Sequence, residues 1–322
     1  MKILVSGCAG FIGSHLCEKL LSRGDKVIGV DIVNDYYDVR QKEVNLEILG
    51  EYEGFIFLKE NIVDTKAIEI YRPEIVCHLA SMAGVRYSIE NPMIYCETNI
   101  KGQINLLEQC VKCDVKLFVY ASSSSVYGLN DKVPFSEDDP INLPNSSYAC
   151  SKQAMEIYAN YYNRLYGISV VGLRFFTVYG PRGRPDMAPF MFMKNIIESK
   201  PIVKYGSGES YRDYTYIDDI VNGIVSVLEV YNDKKVCEIY NLGNNKPVSL
   251  NQFIEACENV VGKKAVIEEK DEQMGDVPKT YADISKAQRD LGYSPKISID
   301  VGLKHLYQWL VGYNSNSISS SS

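Results

Sequence analysis

The chain has 322 residues, 46% apolar and 23% charged, enough for one large or two moderate domains with a substantial core. Its formal charge of -7, with no run rich in Lys or Arg, argues against a nucleic-acid partner. No stretch of about 18 apolar residues offers a membrane span, and Ser6 and Gly7 break the first apolar run before a secretory leader could form, so a soluble cytoplasmic protein is expected.

In chain order, residues 2–6 read as a strand that runs into Gly7, Gly10 and Gly13 and then into a helix over 13–23. Each glycine has a mechanical task. Gly7 makes the tight turn, Gly10 lets the backbone approach a pyrophosphate, and Gly13 lets the helix pack on the strand. The helix N-terminus, with its unpaired N–H groups and its dipole, then receives the phosphates. The next strand, over 26–30, leads to Asp31, about 20 residues after the glycines, where an acid hydrogen-bonds a ribose hydroxyl and repels a 2′-phosphate. This points to NAD rather than NADP.

Further strands are predicted over 55–58, 74–79, 116–121 and 169–174, and helices over 92–112 and 145–166. Pro92 suits a helix start, and Asn145-Ser146-Ser147 is a cap cluster. The alternation predicts a Rossmann-type, doubly wound parallel α/β sheet over residues 1–175. After that, Gly180-Pro181-Arg182-Gly183-Arg184-Pro185 and Gly206-Ser207-Gly208 interrupt the pattern. A smaller C-terminal α/β substrate domain is expected over 176–214 and 245–313, with 215–244 returning to the first sheet. The Ser-rich tail, 314–322, is expected to be disordered.

The nine cysteines are odd in number and scattered through apparent strands and helices, which fits buried thiols in a reducing compartment. Cys110 and Cys113 form a lone Cys-x-x-Cys with no second pair, so helix packing is the reading adopted. His15, His78 and His305 are too dispersed for a metal site.

Two patterns carry chemistry. Tyr148 and Lys152 lie one turn apart on the predicted helix 145–166. A tyrosine normally titrates near ~10, and a neighbouring ammonium together with an oxidised nicotinamide would favour the phenolate as a general base. Ser122-Ser123-Ser124-Ser125 follows the fifth strand. It reads either as a polar turn or, at the carboxyl end of a parallel strand, as donors for a reacting alcohol.

Together, Gly7-x-x-Gly10-x-x-Gly13, Ser123 and Tyr148-x-x-x-Lys152 resemble the extended short-chain dehydrogenase/reductases, within them the nucleotide-sugar epimerases. The resemblance covers residues 1 to about 310. It sharpens toward the UDP-glucuronate 4-epimerases in His78–Ser88, Leu173–Ala188 and Gly275–Asp283.

The resemblance implies NAD held by Gly7, Gly10, Phe11, Ile12, Gly13, Asp31, Asn34, Asn61, Ile62, Leu79, Ala80, Ala83, Asn99, Tyr148 and Lys152. It makes Tyr148, Lys152 and Ser123 the catalytic group. It places Ser124, Ser125, Thr177 and Arg184 around a sugar carboxylate, with Arg86 facing the substrate and Tyr205, Arg212 and Asp276 on the nucleotide. For Arg184 a purely structural role stands beside the functional one. Asn61 departs from the family's usual aspartate there. A UDP-sugar substrate and a homodimer built through a four-helix bundle of 92–112 and 145–166 are also implied.

By the same resemblance, the absence of an acid at Ser124 and Ser125 disfavours a decarboxylase or dehydratase. Thr177 stands where many UDP-glucose 4-epimerases have asparagine. The rivals are a UDP-glucose or UDP-N-acetylglucosamine 4-epimerase and a non-catalytic NAD sensor.

Overall fold

The computed structural model describes residues 1–231, 234–271 and 277–319. Its strands in chain order are β1 (Lys2–Ser6), β2 (Lys26–Asp31), β3 (Phe55–Lys59), β4 (Ile75–His78), β5 (Leu117–Ser123), β6 (Ser169–Phe175), β7 (Thr177–Tyr179), β8 (Pro201–Tyr205), β9 (Tyr211–Tyr216), β10 (Cys237–Leu242), β11 (Pro247–Ser249), β12 (Val266–Lys270) and β13 (Lys279–Thr280). Seven of them form one parallel sheet in the order β10-β6-β5-β4-β1-β2-β3. The order reverses beside β1, the topological switch point at which such sheets bind ligands.

Strands covered on both faces read as continuous apolar runs, and alternate residues of these feed opposite cores. Ile3 and Val5 pack with Leu16 and Leu20 of the helix Phe11–Ser22. Leu4 faces Leu106, Leu107 and Met155 on the other side. Cys110 is buried in that second core, as a packing role requires.

The helix expected over 145–166 spans Ser147–Tyr166, capped by Ser146, whose side chain accepts from the Ala149 N–H, and stopped by left-handed Gly167. The helix expected over 92–112 has an α-helical start at Pro92–Tyr95, a π-helical stretch over Cys96–Lys101 and an α-helical end at Gly102–Lys112. The wide turn carries Asn99, and such turns often mark functional sites.

Beyond β6, the strand β9 centres a second sheet, pairing with β7, β11 and β13, while β8 pairs with β12. Its core is continuous with the first: Tyr214, Phe253 and Ile254 belong to the same buried cluster as Ile3. The last helix spans Ile299–Ser319, so residues 314–319 are helical where disorder was expected. Adding residues to an existing helix costs far less than starting one. Residues 320–322 lie outside the described residues. No described helix is long and apolar enough to cross a membrane.

Candidate active site

A cleft of about 650 Å³ opens along the carboxyl ends of β1, β2, β4 and β5 and is closed on its far side by residues 175–187. At its floor, Gly7 has φ +77°, and a Cβ there would stand 2.7 Å from the Ala80 nitrogen. A Cβ at Gly13 would meet the Gly7 carbonyl at 2.0 Å. The following helix, Phe11–Ser22, has no side-chain cap, so its first N–H groups face the cleft for an anion.

Asp31 ends β2 against this turn. Its carboxylate accepts from the Ala9 and Val33 N–H groups at 3.1 and 2.8 Å and keeps lone pairs for a ribose. The glycine cradle, bare helix end and strand-end acid fit a dinucleotide. Asn34, Asn61, Ile62, Leu79, Ala80 and Ala83 line the same cleft, as do Phe11 and Ile12. Asn99 does not line it. Its amide instead pins the Met82 backbone at 2.7 and 3.0 Å and donates to Ser151 Oγ at 2.9 Å, so it shapes the wall from behind.

The helix Val39–Gly50, which sequence reasoning did not single out, adds three residues. Lys42 is buried at the cleft and donates to the Asn34 carbonyl at 2.9 Å. Gln41 donates to the carbonyls of Arg182 and Gly183, and Asn45 to that of Ala9. Of its five apolar side chains only Leu49 is fully buried, while Gln41, Lys42 and Asn45 turn inward, so periodicity gave little signal. The Asp38 cap, whose side chain accepts from the Arg40 N–H, was the available cue.

Ser123, Tyr148 and Lys152 meet at the centre of the cleft. Ser123 acts to lower the pKa of the Tyr148 phenol and bonds Ser125 Oγ at 3.2 Å. Lys152 is fully buried. Its ammonium donates to the Ala121 carbonyl at 2.7 Å and Ser81 Oγ at 3.1 Å, and lies 5.9 Å from the centre of the Tyr148 ring.

Burial pushes the lysine down to about 7, against an upward pull from Glu156. Burial also holds the Tyr148 phenol above its usual value, although Ser123 and Arg184 act to lower it. The protein alone therefore does not supply a ready phenolate.

Ser124, Ser125, Thr177 and Arg184 line the same cleft. Arg184 forms a two-pronged ion pair with Asp186 at 2.6 and 3.0 Å and stacks over Tyr36 at 5.2 Å. The Tyr36 hydroxyl donates to the Ala83 carbonyl at 2.9 Å, carrying the loop after β2 across to the substrate side.

The remaining positions lie away from this wall. Arg86 is exposed and stacks on Tyr205 at 5.2 Å. Arg212 donates to the Tyr211 and Val277 carbonyls at 2.9 and 2.8 Å. None of the three lines the cleft, because each sits on the second lobe or its facing rim. Asp276 lies outside the described residues.

The sequence pattern of the NAD dependent epimerase/dehydratase family matches residues 3–243. The chain belongs to that family. As a member of the epimerase/dehydratase family it is an NAD-dependent enzyme. It is similar to a UDP-glucuronate 4-epimerase of Thermodesulfobacterium geofontis, with 45% identity over 95% of each chain. It also resembles the crystal structure of UDP-glucuronic acid 4-epimerase from Bacillus cereus in complex with UDP-glucuronic acid and NAD. That match has a TM-score of 0.92 and 37% identity, covering 97% of this chain and all of that one. A UDP-glucose 4-epimerase from Thermotoga maritima aligns with a TM-score of 0.88 and 33% identity, over 98% of this chain and all of that one.

Proposed function

We propose that this chain interconverts UDP-glucuronate and UDP-galacturonate. The observation that carries the reading is a cleft in which Ser123, Tyr148 and Lys152 stand with three further hydroxyls, Ser124, Ser125 and Thr177, and the Arg184 guanidinium.

Tyr148 takes the proton from the sugar O4, Ser123 hydrogen-bonds that oxygen, and Lys152 supports the phenolate from below. Bound NAD would supply the hydride acceptor and donor for the sugar C4, by way of a 4-keto sugar. Gly7, Gly10 and Gly13 would admit its pyrophosphate, Asp31 would hold its ribose, and Asn61 and Ile62 would lie at its adenine. A 4-keto uronate is a β-keto acid that readily loses carbon dioxide. Hydroxyl donors with a charge-assisted contact from Arg184 hold its carboxylate in an orientation that disfavours cleavage. No carboxylate occurs in Ser122–Ser125 to promote decarboxylation.

A neutral-hexose 4-epimerase is the second reading, favoured by the likeness to the Thermotoga maritima protein. Incubating the purified protein with UDP-glucuronate, UDP-glucose and UDP-N-acetylglucosamine separately, without added NAD, and identifying products by chromatography separates the two. UDP-galacturonate alone is expected. Epimers from the neutral sugars only would install the second reading, a UDP-pentose would mean that the hydroxyls fail to protect the carboxylate, and no product even with added NAD would leave a sensor.

A homodimer belongs to the same reading. Ile157, Tyr161 and Leu165 form a stripe at i, i+4, i+8 on the helix Ser147–Tyr166 and are 67, 51 and 54% exposed. Sedimentation at dimer mass, shifting to monomer in Ile157→Glu, is the expected outcome. Thiols buried at Cys8, Cys17, Cys77 and Cys257 support a reducing compartment such as the cytoplasm.

A further inference from the structure

Behind the cleft lies a buried polar network that none of the roles above uses. Glu156 is one helical turn beyond Lys152 and points into the sheet. Arg174 of β6 grips it with both prongs, Nε to Oε1 at 2.9 Å and Nη2 to Oε2 at 2.8 Å, and each side chain is 4% exposed. Ser122, adjacent to Ser123 at the end of β5, donates to Oε1 at 2.5 Å. Arg174 continues to the Tyr127 hydroxyl at 3.0 Å, which donates to Asn241 of β10 at 2.7 Å.

A buried ion pair is seldom the most stable way to fill a core, and apolar residues of similar volume do as well or better. Its position here points to another purpose. One carboxylate joins the helix that carries Tyr148 and Lys152 to the strand that carries Ser123 and to the strand that leads into Thr177. We propose that Glu156 is a positioning residue for the Tyr148–Lys152 pair: clamped by Arg174 and Ser122, its carboxylate fixes the register of Tyr148 and Lys152 against Ser123. The inference rests on the roles proposed for Tyr148 and Lys152 and not on which sugar is turned over.

The titratable and charged groups around Lys152 are few. On its own helix they are Tyr148 and Glu156. His78 of β4 is held neutral by burial and, secondarily, by the charge of Lys152. Arg174 reaches the lysine through Glu156. Burial alone drives Lys152 toward the neutral amine, and the Glu156 charge is what opposes it.

The register matters because Ser123 acts to lower the pKa of the Tyr148 phenol against its burial, while the Lys152 ammonium lies 5.9 Å from the centre of the same ring. A helix free to shift against β5 would take the phenol away from Ser123.

The test uses the NAD-loaded protein and the variants Glu156→Gln, Glu156→Asp and the double variant E156Q/R174M. The primary readout is the near-ultraviolet phenolate absorption of Tyr148 against pH, isolated as the difference from the same variant carrying Tyr148→Phe. In Glu156→Gln the phenolate should appear higher by on the order of one pH unit, with kcat at neutral pH about tenfold lower and KM within about twofold. Glu156→Asp, which keeps the charge, should restore most of both.

A wild-type Tyr148 titration in Glu156→Gln overturns the proposal. If that variant does not fold, E156Q/R174M removes the unpaired guanidinium and should show the same displaced titration. An unchanged titration there, or failure of both variants to fold, reduces Glu156 to a structural residue and also overturns it. The absorption readout needs no turnover, so a wrong sugar assignment would show in the product analysis while leaving this measurement intact.

Discussion

The glycine-rich floor of the cleft and the rim formed by the second lobe differ in how their residues come together. On the floor, most of the parts come from one strand-helix-strand unit, residues 2–31: a strand, a turn of fixed φ, a bare helix end and an acid at the next strand end. On the rim, Arg86 meets Tyr205 and Arg212 meets Val277 across long separations in sequence. Backbone geometry builds the floor, whereas tertiary docking builds the rim, and only the first leaves a compact signature in the sequence.

Four perturbations sharpen or break that contrast. The largest effect is expected from Tyr148→Phe, which should lower turnover by about 10²- to 10⁴-fold. NAD should stay bound, measurable as cofactor released on denaturation, and undiminished turnover would remove Tyr148 from the chemistry. Next comes the floor itself. Gly13→Val puts carbon where the Gly7 carbonyl already stands and should cost about 1–3 kcal/mol in thermal unfolding together with loss of bound NAD. A variant that retained both would mean that the floor yields more than its backbone geometry allows.

For the rim, Arg212→Met should raise KM for the UDP-sugar about tenfold with kcat little changed, the scale of one charge-assisted hydrogen bond. An unchanged KM with a lowered melting temperature would leave Arg212 as a brace for the Tyr211 and Val277 carbonyls. The smallest effect is on pH dependence. Lys152 is held at about 7 in the folded protein, below its ordinary 10.5. The unfolded chain therefore binds more protons between those values, and this group makes the cofactor-free protein more stable as pH rises from about 7 to 10.5. Lys152→Met should flatten that part of the melting profile, and an unaltered slope would mean that the buried amine stays charged.

Much of the main sheet was legible because its strands are short apolar runs separated by helical patterns. Gly7, Gly10, Gly13 and Asp31 were legible because their spacing encodes a mechanical constraint, and Tyr148 with Lys152 because four residues make one turn. Lys42 and Gln41 were not, since the helix Val39–Gly50 turns few apolar residues inward, Lys42 bonds the Asn34 carbonyl in the loop before it, and Gln41 makes its contacts 141 and 142 residues away, with Arg182 and Gly183. Asn99 carried a residue-level signal, yet its place behind the wall depends on the widened turn Cys96–Lys101, which no local pattern announces. Arg86, Tyr205 and Arg212 were singled out through a family likeness alone, and their spacing says nothing of the rim on which they stand.

The pairing of β10 with β6 also sets an order on synthesis. When β1 to β6 have emerged from the ribosome, β6 still lacks its outer neighbour, and the Tyr127 hydroxyl still lacks the Asn241 oxygen that accepts from it. That flank stays an open edge, a template for pairing with another chain, until Leu242 has emerged. The intervening second lobe is translated while the first is still unfinished, so delays there lengthen the time for which the nascent sheet needs shelter.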